Sequence, residues 1–169
     1  NFKGADLSGA NLWWSDLQKA DLRDANLAGA SLWWADLREA ALDGANLEST
    51  SLGRADLRGA LGAGVKFNLA DMSGTNLSGG SFPGAGFRRA HMLQAVILKT
   101  NLQGADFTQA NLHAVNMTGT DLSGATLIEA SLTGTNMTGV NLAGANLQGA
   151  HLSDAKLIGV NLRGANLKE

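Results

Sequence analysis

Cysteine and tyrosine are absent from the chain, and proline occurs once. Without cysteine there is no disulfide scaffold, no thiol nucleophile and no thiolate metal site. Compartment is left open by this. Charged residues are scarce at 17%, which excludes the highly charged composition of a disordered chain. No apolar run approaches the roughly 18 residues that a membrane helix needs, and no secretory signal opens the sequence. Neither sign of charge dominates: the formal net charge is -2, which argues against a dedicated binder of polyanions. Apolar residues nevertheless fill 44% of the 169 positions, enough to bury a core, and the length suits one domain. Glycine is abundant, with 22 copies.

The sequence repeats every five residues. Starting at Phe2, every fifth residue (Leu7, Leu12, Leu17 and onward to Leu167) is large and apolar at 33 of 34 positions, and the exception is Gly62. All five Phe and all four Met fall in this series. Two residues before each centre from Leu7 onward stands a small side chain, most often Ala and otherwise Ser, Thr, Val or once Gly; just before it stands Asp or Asn in most units. Two residues after it, Gly occurs in 18 of 34 units. A period of five fits neither a helix nor a strand. A helix would spread the centres around its circumference and carry a costly Gly in half its units. In a strand, successive centres would face opposite sides. What fits is a coil that turns a corner once per unit, with one large and one small side chain inward. Asn, Asp and Gly are expected to supply the corners, because they tolerate turn geometry.

The tryptophans set the number of corners. Leu12-Trp13-Trp14-Ser15-Asp16-Leu17 recurs as Leu32-Trp33-Trp34-Ala35-Asp36-Leu37, an offset of 20 residues, or four units. A four-sided coil places Trp33 over Trp13 and Trp34 over Trp14. At about 4.8 Å per layer, 169 residues make about eight coils in a rod of roughly 40 Å. These units resemble the pentapeptide-repeat family across residues 2–167, including its Leu-centred, Asn/Asp-rich cyanobacterial members. The resemblance implies an all-β fold, a right-handed quadrilateral β-helix over 1–169. It implies two kinds of role: a structural or protein-interaction scaffold, membrane-anchored or envelope-associated in some cases, or protection of DNA gyrase by mimicry of DNA.

Two stretches depart from the pattern. At Ala60-Leu61-Gly62-Ala63-Gly64-Val65-Lys66, Gly62 takes a core position and Leu61 sits one place early, so an irregular coil near 60–66 with Leu61 turned inward in a bulge is expected. From His91 to Leu98 the phase holds, but Leu93, Val96 and Leu98 point outward. Both ends lack caps, and open solenoid ends expose core. The repeat is therefore expected to be excised from a longer protein, its caps lying elsewhere or supplied by end-to-end packing.

No catalytic constellation or cofactor motif is present, so no enzyme and no cofactor are expected. His91 and His151 lie three coils apart, roughly 14 Å; His91 and His113 lie on neighbouring coils, but too few ligands accompany them for a zinc site. The glycines are turn residues, not a phosphate loop. Asn116 and Asn136 match the glycosylation pattern only because the repeat generates it. Asp16, Asp36 and Asp56 would stack and repel, with Arg38, Arg54 and Arg58 near enough to neutralise them. Matching the charge density of duplex DNA over such a rod would need roughly two dozen net negative charges. The chain has 15 acids against 13 bases. Mimicry is therefore the alternative, and no nucleic-acid partner is expected.

The interaction surface indicated by the sequence is the outward set Trp13, Trp14, Trp33 and Trp34, with Arg54 one coil beyond Trp34, and the apolar group Leu93, Val96 and Leu98. Trp and Arg are enriched at binding hot spots, and contiguous exposed apolar groups mark contact surfaces. The expected partner is a protein, a flanking domain of the same chain, or a second copy.

Overall fold

A computed structural model describes residues 1–168. The backbone winds as a four-sided solenoid in which residue i pairs with residue i+20 through parallel bridges, from Asp6 with Asn26 to Asn146 with Asn166. Each side is so short that only one residue per unit, the one before the centre, forms a bridge. The centres and the small residues two before them are buried as a continuous core from Leu17 to Leu147.

The repeat unit follows from an account of its five amide N–H groups, all of which need partners. The centre donates to the coil above, as Leu7 N does to the Asn26 carbonyl at 2.7 Å. The residue two after it does the same, as Gly9 N does to Ala28 O at 2.9 Å. The small residue closes a β-turn onto the preceding centre, as Ala10 N does to Leu7 O at 3.1 Å. The bridging residue donates to the coil below, as Asn26 N does to Ala5 O at 2.9 Å. The fifth N–H, one after the centre, is served by the Asp or Asn side chain two residues earlier: Ser8 N donates to Asp6 Oδ1 at 3.1 Å and Trp13 N to Asn11 Oδ1 at 3.2 Å. Asp and Asn thus do not occupy the corner, as expected above, but sit beside it and cap it.

The corner itself is a turn whose second central residue has positive φ, the type II arrangement that favours Gly. All 33 such positions from 4 to 164 are left-handed, 18 of them Gly and 15 not. None of the fifteen is β-branched, in keeping with the steric cost of a branched Cβ there.

The bulge expected at Leu61 does not form. Leu61 is 52% exposed, Gly62 is buried at the core position, and Leu61 keeps its bridges to Ala41 and Ser81. No inward residue is needed, because Phe82 of the next coil fills the space. A Cβ on Gly62 would lie 2.9 Å from Phe82 Cδ1, and one on Gly80 only 2.5 Å from Phe82 Cε2. The ring lies across two glycines. Elsewhere Phe67, Phe87 and Phe107 stack as an internal ladder, with centroids 5.2 Å and 4.5 Å apart. Five small positions carry Thr instead of Ala, and each buried hydroxyl donates to a main-chain carbonyl, as Thr50 does to Leu47 O at 2.7 Å.

Candidate functional site

The tryptophans occupy one corner of the solenoid, at the two turn positions after centres 12 and 32. Trp14 and Trp34 stack with centroids 5.0 Å apart and planes 5° from parallel. The Arg54 guanidinium continues the column, 5.0 Å from the Trp34 ring centroid, a cation–π contact worth about 0.5–1 kcal/mol when exposed. All three residues have left-handed backbones, with φ between 56° and 59°. That conformation is costly for a residue bearing a Cβ, and ring stacking offsets part of the cost.

The neighbouring column is looser. Trp13 and Trp33 are 6.3 Å apart and tilted by 33°, and the Trp13 indole N–H donates to the Ser31 hydroxyl. Trp33 lies on Gly53 of the next coil, where a Cβ would fall 2.8 Å from its Cε2. Glycine at 53 therefore seats the ring. The four rings remain 57%, 68%, 36% and 40% exposed in the order Trp13, Trp14, Trp33, Trp34.

Leu93 belongs to the same column as Trp13 and Trp33, further along the rod, and is 41% exposed. Val96 and Leu98 are half-buried, Val96 on the side that follows and Leu98 at the next corner. The three residues thus border one side without sharing a corner. Replacing all three by Ser is expected to lower the melting temperature by no more than a few degrees; loss of folding in circular dichroism would show that one of them supports the core.

In the carboxylate column Asp36 and Asp56 are ion-paired, whereas Asp16 has no cation within 4 Å among the described residues. Arg38 forks onto Asp36, with Nη2 2.5 Å from Oδ2, and its Nε lies 3.8 Å from Asp56. Arg58 pairs with Asp56 at 2.6 Å, and on another corner Arg23 pairs with Asp21 at 2.8 Å. Arg54, expected among these partners, is engaged with Trp34 instead. The Arg23 hydrogen bond holds the Asp21 carboxyl down to about 2. Arg38 does the same, in direction, for Asp36. At Asp56 burial pushes upward but the Arg58 hydrogen bonds outweigh it, leaving the carboxyl low.

Folded carboxyls below their unfolded value, near 4, contribute stability at higher pH that is lost as pH falls through the folded value. The melting temperature is accordingly expected to be level from about pH 7 to 5 and to fall between about pH 4 and 2. In Arg58→Gln the burial of Asp56 is offset only by the N–H of residue 58 and by Arg38, so the decline should begin at higher pH. A scan in which both proteins decline together would refute this account of Asp56.

Among the described residues no group of three or more His, Asp or Glu side chains is placed to hold a metal. The His113 ring lies beside Gly134 of the following coil, where a Cβ would fall 3.9 Å from its Cε1. No helix among the described residues is long and apolar enough to cross a membrane.

A four-sided solenoid with a five-residue unit and a 20-residue ladder defines a class of repeat proteins. The chain belongs to the pentapeptide-repeat family: the family profile "Pentapeptide repeats" matches in segments 5–44, 40–79, 70–113, 105–142 and 135–169, with eight copies. Such proteins fold as right-handed quadrilateral β-helices. No curated protein matches the sequence.

Among solved structures, a trypsin-treated variant of QnrB1, a plasmid-mediated fluoroquinolone resistance protein, is 20% identical with a TM-score of 0.62. The match covers 100% of this chain and 86% of that one. Full-length QnrB1 is 22% identical with a TM-score of 0.53, over 100% and 87% of the two chains. HetL, from the cyanobacterium Nostoc sp. strain PCC 7120, is 31% identical over 98% of this chain and 82% of that one, with a TM-score of 0.31.

Proposed function

We propose that this chain is a non-enzymatic scaffold, a rod of about eight coils, whose tryptophan-bearing corner docks a protein partner, a flanking domain or a second copy. The observation that carries the reading is the exposed ring set Trp13, Trp14, Trp33 and Trp34 closed by Arg54. Large aromatics facing water cost solubility, and Trp and Arg anchors dominate protein interfaces. A regular rod also lacks the deep, largely apolar cleft that small-molecule chemistry usually needs.

Tryptophan fluorescence tests this. A docked corner emits to the blue in the oligomer or the longer chain and shifts to the red on dilution or on removal of flanking segments. Emission that stays red at every concentration, in both forms, removes the interface.

A second reading, protection of a topoisomerase by DNA mimicry, is favoured by the likeness of overall shape to QnrB1. The fold alone supports it, and a formal net charge of -2 opposes it. Even residues 1–60, the more acidic stretch, carry 9 acids against 6 bases, a net of only -3. A gyrase supercoiling assay with a fluoroquinolone distinguishes the readings, since protection at stoichiometric protein would reverse their order.

A further inference from the structure

Three arginines one place after a centre, Arg23, Arg38 and Arg58, each fork onto the Asp two residues earlier. Arg88 stands in the equivalent place, but the residue two before it is Gly86. The Asn68 side chain of the coil below occupies the space beside it: a Cβ at 86 would fall 2.9 Å from its Oδ1, so Asn68 would have to move aside for a side chain there. Asn68 is itself fixed, accepting from Arg88 N at 3.0 Å and donating to Glu48 Oε1 at 2.8 Å. Arg88 therefore reaches forward and donates through Nε to Asp106 at 2.5 Å. The adjacent Arg89 donates through Nε to Gln109 at 2.7 Å, and Gln109 in turn donates to Glu129 at 2.8 Å. Both guanidiniums are thus anchored by Nε, while their terminal Nη groups make no hydrogen bond among the described residues.

The two side chains line a groove of about 390 Å³ along one corner, with Asn68 and Thr108 on the Arg88 wall and Leu69 and Gln109 on the Arg89 wall. Leu69 is 56% exposed. We propose that this groove binds an acidic peptide segment of a protein partner, its carboxylates received by the free Nη groups of Arg88 and Arg89 and an adjacent apolar side chain resting on Leu69. Charge-assisted, planar pairing is what anchored guanidiniums offer a carboxylate. Asp106 neutralises the charge of Arg88 through Nε at 2.5 Å, its other oxygen accepting from Thr108 N and Oγ1 at 2.9 Å and 2.6 Å. Arg88 therefore offers its Nη edge as hydrogen-bond donors, while Arg89, with no carboxylate in ion-pair range among the described residues, supplies the attracting charge. The groove is a second contact surface of the scaffold and uses none of the tryptophan residues.

The test is fluorescence anisotropy with a fluorescein-labelled pentapeptide of alternating glutamate and leucine, at low salt. Binding is expected to weaken about tenfold or more in R88Q/R89Q, with the melting temperature at pH 7 within a few degrees of the parent's as for the loss of an exposed ion pair, and to be abolished when glutamine replaces glutamate in the peptide. The variant W13S/W33S should bind as the parent does, so failure of the tryptophan corner leaves this result intact. Equal binding by R88Q/R89Q or by the glutamine peptide overturns the proposal. So does absence of binding, or displacement at lower concentration by inorganic phosphate or a DNA duplex than by unlabelled peptide.

Discussion

Phe87→Ala is expected to cost about 3–5 kcal/mol, the range for emptying a buried aromatic site. Phe87 is fully buried and stacked on both sides, 5.2 Å from Phe67 and 4.5 Å from Phe107. A solenoid has no distant contacts to absorb the loss, because each coil touches only its neighbours. Removing the middle ring therefore weakens two successive interfaces at once. Chemical denaturation should show a large fall in midpoint, or separation into two transitions as the rod uncouples at its centre. Phe87→Leu, which restores the residue used at most centres, should cost markedly less. If alanine and leucine variants unfold alike, the stacking has been overvalued.

The second large effect runs against the repeat pattern. Leucine is what the pattern demands at position 62, yet Gly62→Leu should destabilise by about 1–3 kcal/mol, as overpacking does. Even a bare Cβ there approaches Phe82 to 2.9 Å and Val65 Cγ1 to 3.0 Å. The double variant G62L/F82L replaces the glycine-and-phenylalanine pair by two ordinary centres. It should recover most of the loss, because residues in contact couple in double-mutant cycles. Additive costs in the cycle would mean that Phe82 does not fill the place left open at 62.

These two cases show where the sequence is legible and where it is not. Inward and outward positions, the four-sided coil and the placing of Trp14 beneath Trp34 all follow from counting, because a strict repeat makes every unit report the same geometry. Arg38 and Arg58 beside the Asp column follow for the same reason. Gly62 misleads because its neighbour in sequence, Leu61, draws attention from its neighbour in space. Phe82 is twenty residues away but directly above, and Phe67, Phe87 and Phe107 carry the same 20-residue signal. Arg54 is close enough in sequence to suit the carboxylates, yet its turn position stacks it on Trp34. The Arg88 groove escapes a sequence reading because its meaning lies in an absent partner, the Asp replaced by Gly86.

The capping of the turn N–H has a consequence for how such a chain varies. Where the bridging residue offers no Oδ, the coil below can supply the acceptor. Ala63 N donates to Asp43 Oδ1 at 2.8 Å beside Leu61, Arg88 N to Asn68 Oδ1 at 3.0 Å beside Gly86, and Leu98 N to Ser78 Oγ at 3.2 Å beside Val96. An unusual residue at one storey is thus licensed by a polar side chain one storey beneath it. Coils are not interchangeable bricks: copying the storey that holds Leu61 without the one that holds Asp43 would leave the exposed Ala63 amide to water instead of a carboxylate. Anyone lengthening this rod, or shuffling its units, keeps these bonds by moving such vertical pairs together.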